Sequence, residues 1–430
     1  MHSLSDVLED FNHKGYIIKL NRKLDIAYEP TRELIRADKE GKTVVFEVKD
    51  SCIICVGEVL NTRAKLYSLL RARNDEEAYK KVLSAMNNYT GKLIEKEFTE
   101  FYIKYEGDLN SLPAIKFFEK DGGRYITSSI VVVRSQEDRA LNASVHRLML
   151  VEDKGFAIRI VPRHLYKIVN EDRRKGRETP VAIAVGAHPL VLFSASISPP
   201  YGVFEFNIYE PLHGYPLPIV YTPKYGLPVP AYASVVLEGK ITLSDVEEGP
   251  FVDLLQLYDR VRKQPLIKIE DIYTSILNIP FHVILPGGLE HKIIMGFPKE
   301  AAIWEGVRRV VPKVNKVRLT DAGGNWLHAI ISIDKNNDGD AKSAILAAFA
   351  SHPSLKHVIV VDSDIDPDNL SEVEWAIATR FQAGKGLIVI RHARGSTLDP
   401  SAEDGITDKV GIDATVPIND RAKYEKPRIP

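Results

Sequence analysis

Residues 107–298 constrain this chain more than any other stretch. They are dense in β-branched residues and are broken at short intervals by Gly122-Gly123, Pro199-Pro200, Pro216, Pro218, Pro223, Pro228 and Pro230. Many short strands joined by such turns predict a barrel or a sandwich. One helix is expected within them, over residues 164–175, and a strand at 181–185 leads into the apolar run 190–196. The flanks follow another rhythm. Residues 1–106 read as mixed α/β, with a capped helix at 3–11, strands at 16–20 and 43–48, and helical spacing at 63–71 and 75–86. Beyond residue 299, helix and strand alternate: 300–310, 327–333, 341–350, 358–361, a helix with Ser371 and Glu374 at capping-box spacing, then 387–390. That order predicts another α/β domain, closed by a polar tail over residues 401–430. The expected class is α/β (α+β) in three parts: 1–106, 107–298 and 299–430, a division that suits 430 residues.

Composition enters as a filter. Lys+Arg at 57 against Asp+Glu at 58 leaves no basic excess, which argues against nucleic acid as a partner. No apolar run reaches the roughly 20 residues of a membrane span, and no signal-peptide pattern opens the chain, so the expected location is cytoplasmic. The only cysteines, Cys52 and Cys55, have C-x-x-C spacing. Half a zinc site or a redox pair is one reading, but no second cysteine pair completes it. Residues 51–56 read instead as a buried strand whose two thiols pack on opposite faces.

Two acidic patterns look like metal sites and are read otherwise. Asp334-x-Asn336-x-Asp338-Gly339 imitates a calcium loop, but its twelfth position is Ile345 and a strand precedes it. Asp362, Asp364, Asp366 and Asp368 end a strand and lead toward the Ser371 helix, as capping and solvated-loop residues do. No phosphate-loop motif and no G-x-G-x-x-G occurs. More promising is Asn142-Ala143-Ser144-Val145-His146-Arg147, between the strand-forming runs 128–133 and 156–164. An amide, a guanidinium and a downstream imidazole at His164 suit an anionic ligand held with a metal.

Taken together, Asp121-Gly122-Gly123-Arg124-Tyr125-Ile126-Thr127, Asn142 with Arg147, Pro162-Arg163-His164, Ser196-Ile197-Ser198-Pro199-Pro200-Tyr201-Gly202-Val203-Phe204-Glu205 and Glu248-Gly249-Pro250-Phe251-Val252-Asp253 resemble the UbiD family of decarboxylases. The resemblance extends to Gly395-Ser396-Thr397-Leu398-Asp399-Pro400. It implies a central split β-barrel that binds prenylated FMN, an N-terminal α/β domain and a C-terminal α/β oligomerisation domain. It also implies Mn2+ (or Mg2+) held by Asn142, His164 and Glu205, with K+ as a further ion. Thr127, Arg163, Ser196 and Ile197 match cofactor-contacting positions. The family's Glu-Arg-Glu network corresponds here to Glu248, Arg147 and Asp253, with Asp253 as proton donor and Glu248 orienting Arg147. A flavin prenyltransferase supplies the cofactor in this family, whose members form homo-oligomers such as dimers or hexamers.

Two features need structural answers. The odd offset between Asn142 and Arg147 puts them on opposite faces of an ideal strand, so a bulge or a strand end is expected. Asp253 stands where most relatives carry Glu, and its shorter arm retreats by about 1.5 Å. The Glu-Gly-Pro-Phe-Val-Asp form resembles the archaeal branch that converts trans-anhydromevalonate 5-phosphate to isopentenyl phosphate in a modified mevalonate pathway. Residues 286–292 read as a mobile loop near the site, with His291 and Lys292 either phosphate partners or solvated loop charges. An aromatic or polyprenyl-hydroxybenzoate acid is the alternative substrate, and a flavin-binding subunit without turnover is the alternative class.

Overall fold

The structure, a computed structural model, describes residues 2–151, 154–425 and 427. It divides into two compact units, Met1–Arg73 with Ser84–Ile294, and Asn74–Leu83 with Met295–Pro430.

The first unit is built on a closed barrel of six antiparallel strands: β1 (Tyr125–Arg134), β2 (Leu141–Leu150), β3 (Phe156–Ile158), β4 (Thr179–Val185), β5 (Val235–Glu248) and β6 (Arg262–Ser275). Their order is β5-β4-β1-β2-β3-β6, and direct pairing of β5 with β6 closes the ring. Closure removes the free edges that an open sheet would present. Val131, Val133, Ile183, Val235 and Leu237 are fully buried and join a core that continues into Leu34, Val44 and Phe46. Helix α1 (His164–Arg174) leaves the barrel after β3, and α2 (Pro189–Ser196) follows β4. The apolar run 190–196 is thus helical: Pro189 opens it, the His188 ring accepts from Leu190 N, and nearly every residue is buried.

A four-stranded sheet, Ile17–Leu24, Thr43–Val48, Cys55–Gly57 and Phe281–Val283, completes this unit. The strand begins at Cys55, not at residue 51 as expected. Cys55 is buried and Cys52 is exposed, so the two thiols do not share a core.

The second unit holds a five-stranded sheet in the order Lys313–Leu319, His328–Asp334, His357–Asp362, Ile406–Asp413, Leu387–Arg394. The middle three strands are parallel; helix Asp340–Ser351 connects the first two, and helix Leu370–Arg380 leads from His357–Asp362 toward the antiparallel edge strand Leu387–Arg394. Part of the expected tail over residues 401–430 is instead built into this sheet. Ile406–Asp413 is an inner strand, and polar residues such as Asp408 made it read as loop. Lys426 and residues 428–430 of that expected tail lie outside the described residues. The cap of Leu370–Arg380 is Asn369, which accepts from Glu372 N, not Ser371. The four aspartates at 362–368 are ion-paired: Arg380 reaches Asp362 and Asp364, and Lys316 reaches Asp366 and Asp368. The calcium-loop imitation is the turn between strand His328–Asp334 and helix Asp340–Ser351. Among the described residues no helix is long and apolar enough to cross a membrane.

One glycine holds the segment that follows β5. Gly122 N donates to Pro250 O, and a Cβ on Gly122 would lie 2.1 Å from Gly249 O. Gly122→Ala must displace the segment that follows Glu248. It is expected to lower stability by about 1–3 kcal/mol, read from urea unfolding midpoints.

Candidate active site

Arg147 lies near the end of β2. In β1 the register slips between Ile126 and Ser129, opposite this residue. The extra residue belongs to β1; β2 itself runs unbroken from Leu141 to Leu150, with Asn142 near its start and Arg147 near its end.

The guanidinium is clamped along one side. Nε donates to Glu248 Oε1 at 2.8 Å, Nη2 donates to Glu248 Oε2 at 3.0 Å, and Nη2 also reaches Asp259 Oδ2 at 3.3 Å. The carboxylate of Glu248, at the end of β5, is fully buried and accepts from Tyr125 OH at 3.3 Å. Phe251 lies under the guanidinium, 5.0 Å from its carbon, and packs on Tyr125. The remaining edge is looser. Nη1 stands 3.7 Å from Asp253 Oδ2, beyond hydrogen-bond length, and the Asp253 side chain is 27% exposed. Burial alone would weaken the guanidinium's hold on its proton. The hydrogen bond and charge of Glu248, then the charge of Asp253, outweigh it and raise the Arg147 pKa.

Asp253 sits at the turn of a small hairpin in which Phe251–Val252 pairs with Tyr258–Asp259. Asp253 N donates to Leu257 O, and Gln256 takes a positive φ of 57° where glycine would be expected. The Gln256 amide donates to Gly287 O. The Gln256 side chain thus anchors the turn.

Residues 286–292 are not a mobile loop. Helix α3 (Leu289–Val307) begins within them, and Gly287 N donates to His291 Nδ1. Glu290 accepts from Val59 N and Leu60 N and faces His282, while Lys292 is buried. The helix start is fixed by buried polar contacts that the local sequence does not reveal.

A second cluster lies at the other end of β2. Glu205 is buried. Its Oε1 accepts from Asn142 Nδ2 and its Oε2 from Ala143 N, both at 2.7 Å, and His164 Nδ1 lies 3.8 Å from Oε1. Burial raises the Glu205 carboxyl to about 7, against those hydrogen bonds. The Ser144 hydroxyl stands 3.1 Å from Asn142 Oδ1 and 2.9 Å from His146 Nε2, and its single proton serves one of the two. His164 opens α1 and packs against Tyr201. A cavity of about 720 Å3 adjoins the cluster, lined by Ala140 and Leu141 before Asn142 and by Val203 and Phe204 before Glu205.

The other sequence-chosen residues are placed as follows. Thr127 Oγ1 accepts from Ile284 N, Arg163 Nη1 donates to Ser198 Oγ, Ser196 Oγ donates to Phe193 O, and Ile197 is buried. The structure brings Arg147, Glu248 and Asp253 together at one end, and Asn142, His164 and Glu205 at the other. Sequence reasoning missed Asp259 and Tyr125. Only the hairpin pairing of Phe251 with Asp259 signals the first, and no motif contains that pairing.

A closed antiparallel barrel thus carries an arginine–carboxylate cluster at one end of a strand and an Asn/His/Glu cluster at the other. Comparison with known proteins places the chain among carboxy-lyases. Residues 93–289 match the 3-octaprenyl-4-hydroxybenzoate carboxy-lyase Rift-related domain, and residues 292–414 its C-terminal domain. The chain belongs to the UbiD family. It is 44% identical to the anhydromevalonate phosphate decarboxylase of Aeropyrum pernix, over 98% of this chain and 97% of that one. Identity with the Methanocaldococcus jannaschii enzyme of the same name is 46%, over 79% and 81%. Among solved structures, the UbiD-class enzyme HmfF of Pelotomaculum thermopropionicum in complex with FMN superposes with a TM-score of 0.94. It is 33% identical, with 100% of this chain and 98% of that one covered. An evolved dimeric form of HmfF in complex with prFMN gives 0.90 at 31% identity, covering 100% and 97%.

Glu248→Gln keeps the shape but removes the charge that grips Arg147. It is expected to cost about 1.5–3 kcal/mol in chemical denaturation, the range for a hydrogen bond to a charged group. Tyr125→Phe is expected to cost less, about 1 kcal/mol.

Proposed function

We propose that this chain is a prenylated-FMN-dependent, non-oxidative decarboxylase of an α,β-unsaturated acid. The substrate is trans-anhydromevalonate 5-phosphate and the product isopentenyl phosphate, in an archaeal-type mevalonate pathway. The observation that carries the reading is the open Nη1 edge of Arg147 facing Asp253, with the opposite edge clamped by Glu248. It stands in a chain 38–46% identical to several archaeal enzymes named for this activity.

The donor set fits the implied cofactor and metal. A buried carboxylate raised to about 7, an imidazole 3.8 Å away and an amide oxygen competing for one hydroxyl proton form a place where a divalent cation would be stabilised. Asn142, His164 and Glu205 would hold Mn2+ or Mg2+ against the flavin phosphate, with K+ as a further ion, and Thr127, Arg163, Ser196 and Ile197 would contact the cofactor. Bound there, the prenylated flavin supplies the electron sink that decarboxylation needs. The chain's own residues do the rest. Arg147 receives the substrate carboxylate on its Nη1 edge. Glu248, bidentate and buried, fixes which edge is offered. After the bond to CO2 breaks, Asp253 gives its proton to the carbon that carried the carboxylate, then regains one from solvent. Partial exposure of Asp253 keeps that return path open.

In this reading residues 107–298 form the cofactor-binding domain between the 1–106 and 299–430 domains. A flavin prenyltransferase supplies the cofactor in the cytoplasm, and the C-terminal domain joins copies into a homo-oligomer, dimer or hexamer. Exposure of Leu387 and Val389 on the edge strand Leu387–Arg394 supports the last point.

The test is co-expression with a flavin prenyltransferase, followed by CO2 release from trans-anhydromevalonate 5-phosphate and from a polyprenyl-hydroxybenzoate. Turnover of the first alone is expected, and turnover of the second alone would replace the substrate. Asp253→Asn should abolish CO2 release while flavin absorbance stays, whereas unchanged turnover would remove Asp253 as donor. His164→Ala should lower metal and flavin content together.

A further inference from the structure

The ion-paired set around Arg147 has one member that the reaction above does not use. Asp259 Oδ2 lies 3.3 Å from Arg147 Nη2 and 3.9 Å from Arg159 Nε, and it is in contact with Arg262 Nη1. It occupies the hairpin strand opposite Phe251, and its side chain is mostly buried. Burial pushes the Asp259 carboxyl up, but the Arg262 hydrogen bond and the charges of Arg147, Arg262 and Arg159 prevail and leave it below its ordinary value.

Within contact distance, the guanidiniums of Arg147, Arg159 and Arg262 meet the carboxylates of Glu248, Asp253 and Asp259. With all six ionised the set is neutral. A proton on Asp253 leaves one positive charge, which an incoming substrate carboxylate cancels. In a partly buried site, opposite charges held this close interact far more strongly than in water. Binding one carboxylate is thereby tied to taking up one proton at Asp253, as long as Asp259 remains charged.

Other titratable groups also face the set. Tyr125, from β1, keeps its proton and donates to Glu248. His291, from α3 with Lys292 beside it, is lowered by burial first. The charge of Asp253 opposes that shift, and those of Arg147 and Lys292 add to it. Asp121 is raised by burial to about 6 and faces Arg147 at longer range.

We propose that Asp259 is a positioning residue: the standing counter-ion of Arg147 and Arg262, whose charge makes the substrate carboxylate and a protonated Asp253 arrive together. The inference rests on the decarboxylase reading above, and its test separates the two.

The experiment is isothermal calorimetry in buffers of different ionisation enthalpy at pH 7. It measures proton uptake when prenylated-FMN holoenzyme binds the saturated, unreactive analogue 3-methyl-5-phosphooxypentanoate. Wild type is expected to take up about one proton per site on binding, and Asp259→Asn close to none, because the variant is already one charge more positive. In turnover, Asp259→Asn should lower kcat by about tenfold or more at neutral pH, within the range a general acid contributes, while KM stays level or falls. Asp259→Glu should recover both uptake and kcat. Wild type binding the analogue without proton uptake would overturn the proposal, and this arm needs no variant to fold. Equal uptake and equal kcat in Asp259→Asn would also overturn it, as would a raised KM at unchanged kcat. A wild-type holoenzyme that releases no CO2 from the unsaturated acid would instead remove the decarboxylase reading itself.

Discussion

A guanidinium held by a fully buried carboxylate is the interaction on which the proposed chemistry depends. Arg147 is 12% exposed and Glu248 is not exposed at all, so neither charge could stay in place without the other. The pairing is bidentate, which fixes the plane of the guanidinium as well as its position. Fixing that plane is what gives the group two different edges. One is saturated by Glu248 and Asp259; the other faces Asp253 across a gap too long for a hydrogen bond. A lysine at 147 would have no edges to distinguish.

The barrel makes this arrangement affordable. Arg147 comes from β2, Glu248 from the end of β5, and Asp253 and Asp259 from the hairpin that follows, residues far apart in sequence but held by one closed sheet. A single strand, β2, carries both the arginine and, five residues earlier, the asparagine of the second cluster. Gly122 against Gly249 and Gln256 against Gly287 then set where the hairpin lies. Each is a backbone-level constraint, and none is itself a chemical group of the reaction.

Much of this was legible from residue order. β-Branched runs broken by Gly and Pro announced a barrel or a sandwich, because both need turns at short intervals; closure of β5 on β6 decides for the barrel. The residues meeting at both ends of β2 were found through the resemblance of their motifs to the UbiD family. What stayed hidden shares one cause: it depends on partners distant in sequence. Asp259 belongs to no motif and gains its place from cross-strand pairing with Phe251. The helical start at Leu289 depends on Glu290 meeting Val59 and Leu60, more than two hundred residues away. Strand Ile406–Asp413 reads as polar tail because its neighbours His357–Asp362 and Leu387–Arg394 supply the pairing that its own composition does not announce. Cys52 is exposed although Cys55 is buried, because the strand starts only at the second thiol.

The most direct measurement is a crystal structure of the prenylated-FMN holoenzyme with an unreactive carboxylic acid bound. The account predicts the acid's carboxylate on the Nη1 edge of Arg147, next to Asp253, with the bidentate contact to Glu248 intact. A carboxylate bound elsewhere, or an Arg147 released from Glu248 to meet it, would contradict the claim that this clamp selects the working edge.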